Sequence, residues 1–307
     1  MKHLFILNPK AGSDEAKSGV RSLIEEKMIL RGAEYEIYYT TAPMDAAEKV
    51  RREAMKGGEL RVYAFGGDGT ISECAHGAAG FSNCAVTHFP CGTGNDFIKS
   101  FDGDTELFRS LDELIDGAVF PIDLIDVNGR KCLDIASVGV DARIGTDVHK
   151  YSGHPVWGKI QGGYIPSLVV NILKGINSEF TFETEEGKLD GKFALACCCN
   201  GKFYGGGFNP TRTAVVDDGV LEILIIKKVN LIQLAALLGD YSTGLYYKHP
   251  DFIKHIGGTR LKVTAPQEFV VNIDGEAMYT REVTMKLIPK GVNFIFPKSS
   301  NFVKERT

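Results

Sequence analysis

No apolar run in this chain is long enough to cross a bilayer. A spanning helix needs about 20 predominantly apolar residues, and the longest candidates, YIPSLVVNIL and LIQLAALLG, are short or interrupted by polar residues. A spanning role is excluded, while docking on a membrane surface stays open. The N-terminus MKHLFILNPKAG has too short an apolar core for a signal peptide and meets Asn8-Pro9 at once, so no leader is expected. Cysteine pairs are missing as well. The seven cysteines, Cys74, Cys84, Cys91, Cys132, Cys197, Cys198 and Cys199, are odd in number and contain no C-x-x-C. That excludes a disulfide framework or a zinc ribbon and suits reduced thiols in the cytoplasm. The triplet Cys197 to Cys199 lies in the apolar run FALACCCN, where cysteine acts as a small hydrophobe.

Positive charge is in deficit, with 35 Lys and Arg against 39 Asp and Glu. A net charge of −4 gives no general attraction to nucleic acid, which is therefore not expected as a partner. The seven histidines, His3, His76, His88, His149, His154, His249 and His255, form no nucleophile or metal pattern. Two phosphate signatures are absent too: G-x-x-x-x-G-K-[ST] does not occur, and no G-x-G-x-x-G opens a helix after the first apolar run.

Glycine, by contrast, is plentiful at 35 residues, and its placement organises the chain. A length of 307 residues predicts two domains. Residues 1–120 alternate β-like runs (HLFIL, YEIYYTT, LRVYAF, CAVTHFP) with helical stretches near Asp14–Arg31, Met44–Met55, Ile71–Ala79 and Leu107–Asp116. Such alternation predicts a parallel sheet covered on both faces, a three-layer αβα domain. Residues 121–290 read as consecutive β segments, among them KCLDIASVGV, KFALACCC, RLKVTA, EFVVNIDGE, EVTMKLIP and VNFIFP, as in an antiparallel β-sandwich. Helical insertions are expected at Trp157–Lys174 and Leu231–Tyr241, and the segment of about 290–307 is expected to return to the first domain.

Three glycine-bearing loops follow three strands of the first domain: NPKAGS (Asn8 to Ser13), GGDGT (Gly66 to Thr70) and PCGTGNDF (Pro90 to Phe97). Loops at the carboxyl ends of parallel strands converge on one crevice, so all three can address one ligand. Glycines let backbone N–H groups approach a phosphate, and a helix N-terminus adds a favourable dipole. GGDGT has no lysine and carries a carboxylate at Asp68. An anionic side chain beside a polyphosphate is repulsive until a divalent cation screens both, so magnesium near Asp68 is expected.

In their order and spacing, NPKAG, FGGDGTISE, CGTGNDF, GVDA, NGKFYGGGFNPTRTAVVDDGVLEI and NIDGE resemble the diacylglycerol kinase catalytic-domain family, which includes bacterial soluble lipid kinases and the sphingosine and ceramide kinases. GGDGT alone is shared with NAD kinases and phosphofructokinase-like folds; its combination with GTGNDF and the late DGE is specific. The resemblance implies an ATP- and magnesium-dependent lipid kinase acting on a diacylglycerol-like hydroxyl. It places ATP against Asn8, Pro9, Lys10, Ala11, Gly12, Thr41, Gly66, Gly67, Gly69, Thr70, Glu73, Thr93 and Asn95, with Asp68 facing magnesium and the triphosphate. It makes Glu276 the general base, and it suggests a second magnesium held by Asp218 and the carbonyls of Val215 and Val220.

Read locally, VVDDGV is also a polar β-turn and NIDGEA an ordinary hairpin with a D-G step. Asp134 departs from the family pattern by standing where asparagine is usual, near the domain junction or in solvent. Alternatives are a kinase of a sphingoid base, NAD or another soluble alcohol, or a catalytically silent nucleotide-binding module. Peripheral docking on the inner membrane face is expected around HKYSGHPVWGKIQGGYIPSL, which reads equally as a helical hairpin packed on the β domain. A homodimer is expected from the resemblance only.

Overall fold

The computed structural model describes residues 1–9, 14–92, 94–152, 171 and 175–307. They form two compact units, Met1–Leu124 with Pro289–Thr307, and Ile125–Ile288. The first is an α/β unit. Its strands β1 (Lys2–Leu7), β2 (Glu34–Tyr39), β3 (Leu60–Gly66) and β4 (Cys84–Pro90) alternate with helices α1 (Asp14–Arg31), α2 (Asp45–Ala54) and α3 (Asp68–Ala78). All four pair in parallel in the order β2-β1-β3-β4. Leu4, Phe5, Ile6, Val62, Tyr63 and Ala64 are fully buried, as expected of parallel strands covered on both faces.

The end of the long strand β13 (Glu276–Phe296) runs parallel to β4, with Asn293 opposite Ala85 and Phe294 opposite Val86. What draws it there is an aromatic cluster. Phe101 packs edge to face against Phe97, Phe296 and Phe302, with ring centroids 5.4, 5.0 and 5.5 Å apart. The Asp104 carboxylate accepts from the Asn301 N–H at 2.8 Å and starts the terminal turn, Asn301–Lys304.

Two expected helices differ in the structure. α3 starts at Asp68 rather than Ile71, so the glycine motif is itself the first helical turn. The Leu107–Asp116 stretch is a 3-10 turn, Thr105–Arg109, followed by the short helix α4 (Leu111–Ile115), because Ser110 is extended and caps the new start.

The second unit is antiparallel. Its elements after the end of β5 (Ala118–Val127) are β6 (Arg130–Cys132), β7 (Ile135–Gly139), α5 (Val140–Ser152), β8 (Ser178–Thr184), β9 (Gly187–Cys199), β10 (Leu221–Lys227), α6 (Leu231–Tyr241), β11 (Ile253–Gly258), β12 (Arg260–Ile273) and the start of β13. Two long strands change partners along their length. β9 pairs with β8 through Gly187–Phe193 and with β7 through Leu195–Cys199. β12 pairs with β8 through Lys262–Thr264 and with β7 through Val271–Ile273.

RLKVTA and EFVVNI, expected as separate strands, are therefore one. The register against β13 shifts between Thr264 and Phe269, around Pro266, which has no N–H to give the ladder. Likewise EVTMKLIP and VNFIFP are one strand, bent where Lys290 takes φ 51° and donates its N–H to Asp123 at 2.7 Å.

Alternation along β9 serves two cores. Cys198 joins Phe180, Phe182 and Val263 on one face, while Cys197 and Cys199 join Leu224, Ile226 and Tyr241 on the other. All seven cysteines are free thiols. The insertion expected at Trp157–Lys174 lies, Asn171 apart, outside the described residues, as does the expected docking stretch beyond Ser152.

Candidate active site

Strand register brings the loops of the α/β unit to one sheet edge. Leu7 lies opposite Tyr39 and Phe65, and Gly66 lies opposite Pro90. The next bonds continue the ladder: Asn8 N–H donates to Phe65 at 3.0 Å, Thr40 N–H to Leu7 at 3.0 Å, and Cys91 N–H to Gly66 at 2.8 Å. The carboxyl edge thus carries all four loops. Asn8 Nδ2 donates to Thr70 Oγ1 at 3.2 Å, tying the first loop to the glycine turn. Pro9 follows, exposed. Lys10, Ala11, Gly12 and Thr93 lie outside the described residues.

Close backbone approach explains the glycines. A Cβ on Gly66 would stand 2.1 Å from Thr70 Oγ1, and one on Gly92 would stand 2.7 Å from the Gly67 Cα. Neither position admits a side chain without movement, whereas Gly69 has nothing within 4 Å. Asn95 takes φ 50° and closes the third loop on itself, donating Nδ2–H to the Gly92 carbonyl at 2.7 Å and accepting the Gly92 N–H at 3.2 Å. Buried His88 braces the turn from below, its Nε2 donating to the Gly66 carbonyl at 3.0 Å. Burial lowers the His88 pKa to about 4, against the pull of that hydrogen bond, so the ring is neutral at pH 7.

The carboxylates of the motif have definite partners. Asp68 Oδ1 accepts the N–H groups of Asp96 at 2.6 Å and Phe97 at 3.3 Å. A Cβ on Gly94 would lie 2.8 Å from Asp68 Oδ2 and 3.7 Å from Asp96 Oδ2. Two carboxylates therefore flank one glycine, and this all-oxygen donor set fits a hard cation such as magnesium. Lys99 Nζ contacts Asp96 Oδ1 at 2.6 Å. Asp96 was legible within GTGNDF but was not assigned from sequence.

Glu73 and Thr41 are also held within the fold. Glu73 accepts the N–H groups of Met44 at 2.8 Å and Ala46 at 3.2 Å, holding the start of α2. Thr41 donates its N–H and hydroxyl to Asp45 at 2.8 and 2.9 Å.

In the β unit, Ile273 pairs with Glu276 across a two-residue turn in which Asp274 (φ 49°) and Gly275 (φ 94°) are both left-handed, the geometry a D-G hairpin favours. Asp274 does more than turn the chain. Its carboxylate accepts the N–H groups of Leu133 at 2.7 Å, Asp134 at 2.9 Å and Ile135 at 3.3 Å, and the Cys132 thiol at 3.0 Å. The hairpin is thereby fixed to residues 132–135, a contact no local reading of NIDGE could give. Glu276, which closes the turn opposite Ile273, is exposed, and its carboxylate makes no hydrogen bond or ion pair to a described residue. Asp134 is buried, which corrects the solvent-facing reading.

Asp218 Oδ1 accepts the Val220 N–H at 2.9 Å in a turn whose Val215 and Val220 are exposed. Among the described residues no group of three or more His, Cys, Asp or Glu side chains could hold a metal.

The same unit contains an apolar cavity of about 190 Å³, lined by α5, α6 and β9 through residues such as Ile144, Leu195 and Leu234. Among its described lining residues the one acidic group is Asp141, whose buried Oδ2 has no hydrogen-bond partner. Burial pushes the Asp141 pKa up to about 6, against hydrogen bonds from Ser137 and Tyr204.

Glycine loops gathered at the carboxyl edge of a parallel sheet, and a sandwich unit presenting an unengaged carboxylate, suit a phosphotransferase with an alcohol acceptor. Comparison with known proteins agrees. Residues 2–127 match the diacylglycerol kinase catalytic domain, and residues 134–296 match the YegS C-terminal NAD kinase beta sandwich-like domain. The chain belongs to this lipid kinase family.

A diacylglycerol kinase of Bacillus subtilis is 26% identical over 277 residues, spanning 89% of this chain and 88% of that protein. A protein of Pseudomonas aeruginosa described as a "Probable lipid kinase YegS-like" is 27% identical over 308 residues, spanning 99% and 97%. The crystal structure of a diacylglycerol kinase from Bacillus anthracis shares the fold, with a TM-score of 0.71 at 20% identity over 97% of this chain and 98% of that one.

Proposed function

We propose that the protein transfers the γ-phosphate of ATP, with magnesium, to the hydroxyl of diacylglycerol or a closely related lipid. The observation that carries this reading is the common carboxyl edge of the parallel sheet, where the tie from Asn8 to Thr70 and the close backbones of Gly67 and Gly92 build one cradle. First-turn amides of α3, at Asp68 and Gly69, have no acceptor within the helix and are suited to phosphate oxygens. Asp68 and Asp96 would hold magnesium, which when bound supplies positive charge against the triphosphate.

Glu276 accepts the proton of the lipid hydroxyl. As that oxygen bonds to the γ-phosphorus, the bond from phosphorus to the bridging oxygen breaks and ADP leaves. Asp274 positions Glu276 by clamping the hairpin to the amides of residues 133–135. The apolar cavity lined by α6 favours a lipid over NAD, whose polar surface would gain nothing there.

Asp218, with the carbonyls of Val215 and Val220, is proposed as a second oxygen site for magnesium. No helix among the described residues is long and apolar enough to cross a membrane, and the lipid is reached from a cytoplasmic, peripherally docked enzyme. The expected homodimer rests on family resemblance alone.

The test is incubation of purified protein with labelled ATP and magnesium against diacylglycerol micelles, sphingosine, ceramide, undecaprenol and NAD. Label is expected on diacylglycerol. Glu276→Gln should lower kcat by about 10²–10⁴-fold while ATP affinity holds. Label on NAD alone, or on nothing while ATP binds, refutes the proposal.

A further inference from the structure

The α6 helix is more apolar than α5, and the first turn of α6 stands exposed. No charged residue occurs from Val229 to Gly239. Leu231 is 55% exposed and Ile232 is 83% exposed. The turn is rigid nonetheless, because Asn230 and Gln233 form a reciprocal capping box with both bonds at 2.9 Å. A preorganised, solvent-facing Leu-Ile pair adds little to folding stability and costs solubility, so it points to a partner.

We infer that this turn is a docking element that inserts Leu231 and Ile232 into a lipid bilayer bearing anionic headgroups, an inference that rests on the lipid kinase reading. Two observations select a bilayer over another protein or a second copy of the chain. The first is charge. Lys227 and Lys228 immediately precede the helix and are both exposed. Neither pairs with a carboxylate among the described residues; Lys227 Nζ donates to the backbone carbonyl of Asp251 at 3.0 Å. In a chain of net charge −4, two unneutralised cations beside an apolar turn match anionic headgroups.

The second is continuity. Leu231, though more than half exposed, also lines the apolar cavity, as do Leu234 and Leu238 one and two turns further on. The cavity therefore opens at the turn that would meet the bilayer. An apolar path leads from surface to interior within one helix, as delivery of an acyl chain requires.

The experiment is vesicle sedimentation without ATP, using phosphatidylcholine vesicles with and without phosphatidylglycerol. Ile232 does not line the cavity, so Ile232→Glu leaves the interior intact. That variant should partition at least about tenfold more weakly, Ile232→Trp should bind like the parent, and Lys228→Glu should lose about fivefold only on vesicles containing phosphatidylglycerol. Turnover of a water-soluble short-chain diacylglycerol by Ile232→Glu should equal the parent's, while turnover of vesicle-borne diacylglycerol falls.

Unchanged vesicle binding by Ile232→Glu overturns the inference. So does a parent dimer that this variant converts to monomer by sedimentation velocity, because a second copy then covers the turn. Ile232-dependent binding by a protein that phosphorylates no lipid would sink the kinase reading and leave the docking element standing.

Discussion

The substitution Gly66→Ala tests the cradle at its tightest point. An added Cβ would lie 2.1 Å from Thr70 Oγ1, 2.6 Å from Thr70 Cβ and 3.0 Å from Thr70 Cγ2, whereas non-bonded carbons rest about 3.5–4.0 Å apart. Rotating the threonine side chain relieves the first contact but not the second, because Cβ is fixed to the backbone of α3. The first turn of the helix must shift by about an ångström, and overpacking of this kind costs about 1–3 kcal/mol.

Unfolding of the α/β unit should therefore move down by roughly 3–10 °C. ATP affinity should fall at least about tenfold, the equivalent of 1.4 kcal/mol, because the amides of residues 67–69 are re-aimed. Gly69→Ala is the control. It meets no atom within 4 Å, and replacing a helical glycine by alanine gains about 0.5–1 kcal/mol, so without nucleotide it should melt at or above the parent. Thermal unfolding without ligand, followed by calorimetric ATP titration, reads both quantities. A Gly66→Ala protein with parental melting and ATP affinity would refute the reasoning.

Two further outcomes follow from the carboxylate and histidine environments. Asp274→Ala removes the acceptor of three N–H groups and a thiol, and should destabilise the β unit by about 2–5 kcal/mol in urea unfolding; an unmoved midpoint would show that residues 132–135 do not depend on it. The pKa values of His3 and His88 are both lowered to about 4, chiefly by burial, with the Arg61 charge adding at His3. An unfolded histidine binds its proton near pH 6.5, so the unfolded state takes up protons first on acidification. Stability should be complete above about pH 6.5 and fall progressively toward pH 4. His88→Gln should make that fall shallower, and an identical profile for this variant would remove His88 from the account.

Much of the architecture was legible because it is written in near neighbours. The apolar runs of β1, β3 and β4, each followed by a glycine turn and a helical stretch, announced a parallel sheet. The D-G step announced a hairpin, and turn chemistry acts over two residues. Family resemblance named Glu276 and Asp68, but their surroundings were not readable from spacing.

Elements that depend on distant pairing were the ones misjudged. β12 and β13 were each split in two, because Pro266 and the bend at Lys290 look locally like strand ends. Partners on neighbouring strands carry the ladder past them. α5 follows β7 directly and was not expected as an element of its own; only its end, from His149, fell in a stretch read as a docking segment or helical hairpin.

The carboxylates show the same division more sharply. Sequence alone determined that Asp68 sits in a glycine turn, that Asp274 precedes a glycine and that Glu73 follows the motif. Only the tertiary structure decided that Asp68 binds amides 28 residues away, that Asp274 binds amides some 140 residues away and that Glu73 holds the start of α2. The reason is physical. Backbone propensity and turn geometry are properties of a few adjacent residues, whereas the partner of a charged oxygen is whichever donor the packed chain brings within about 3 Å.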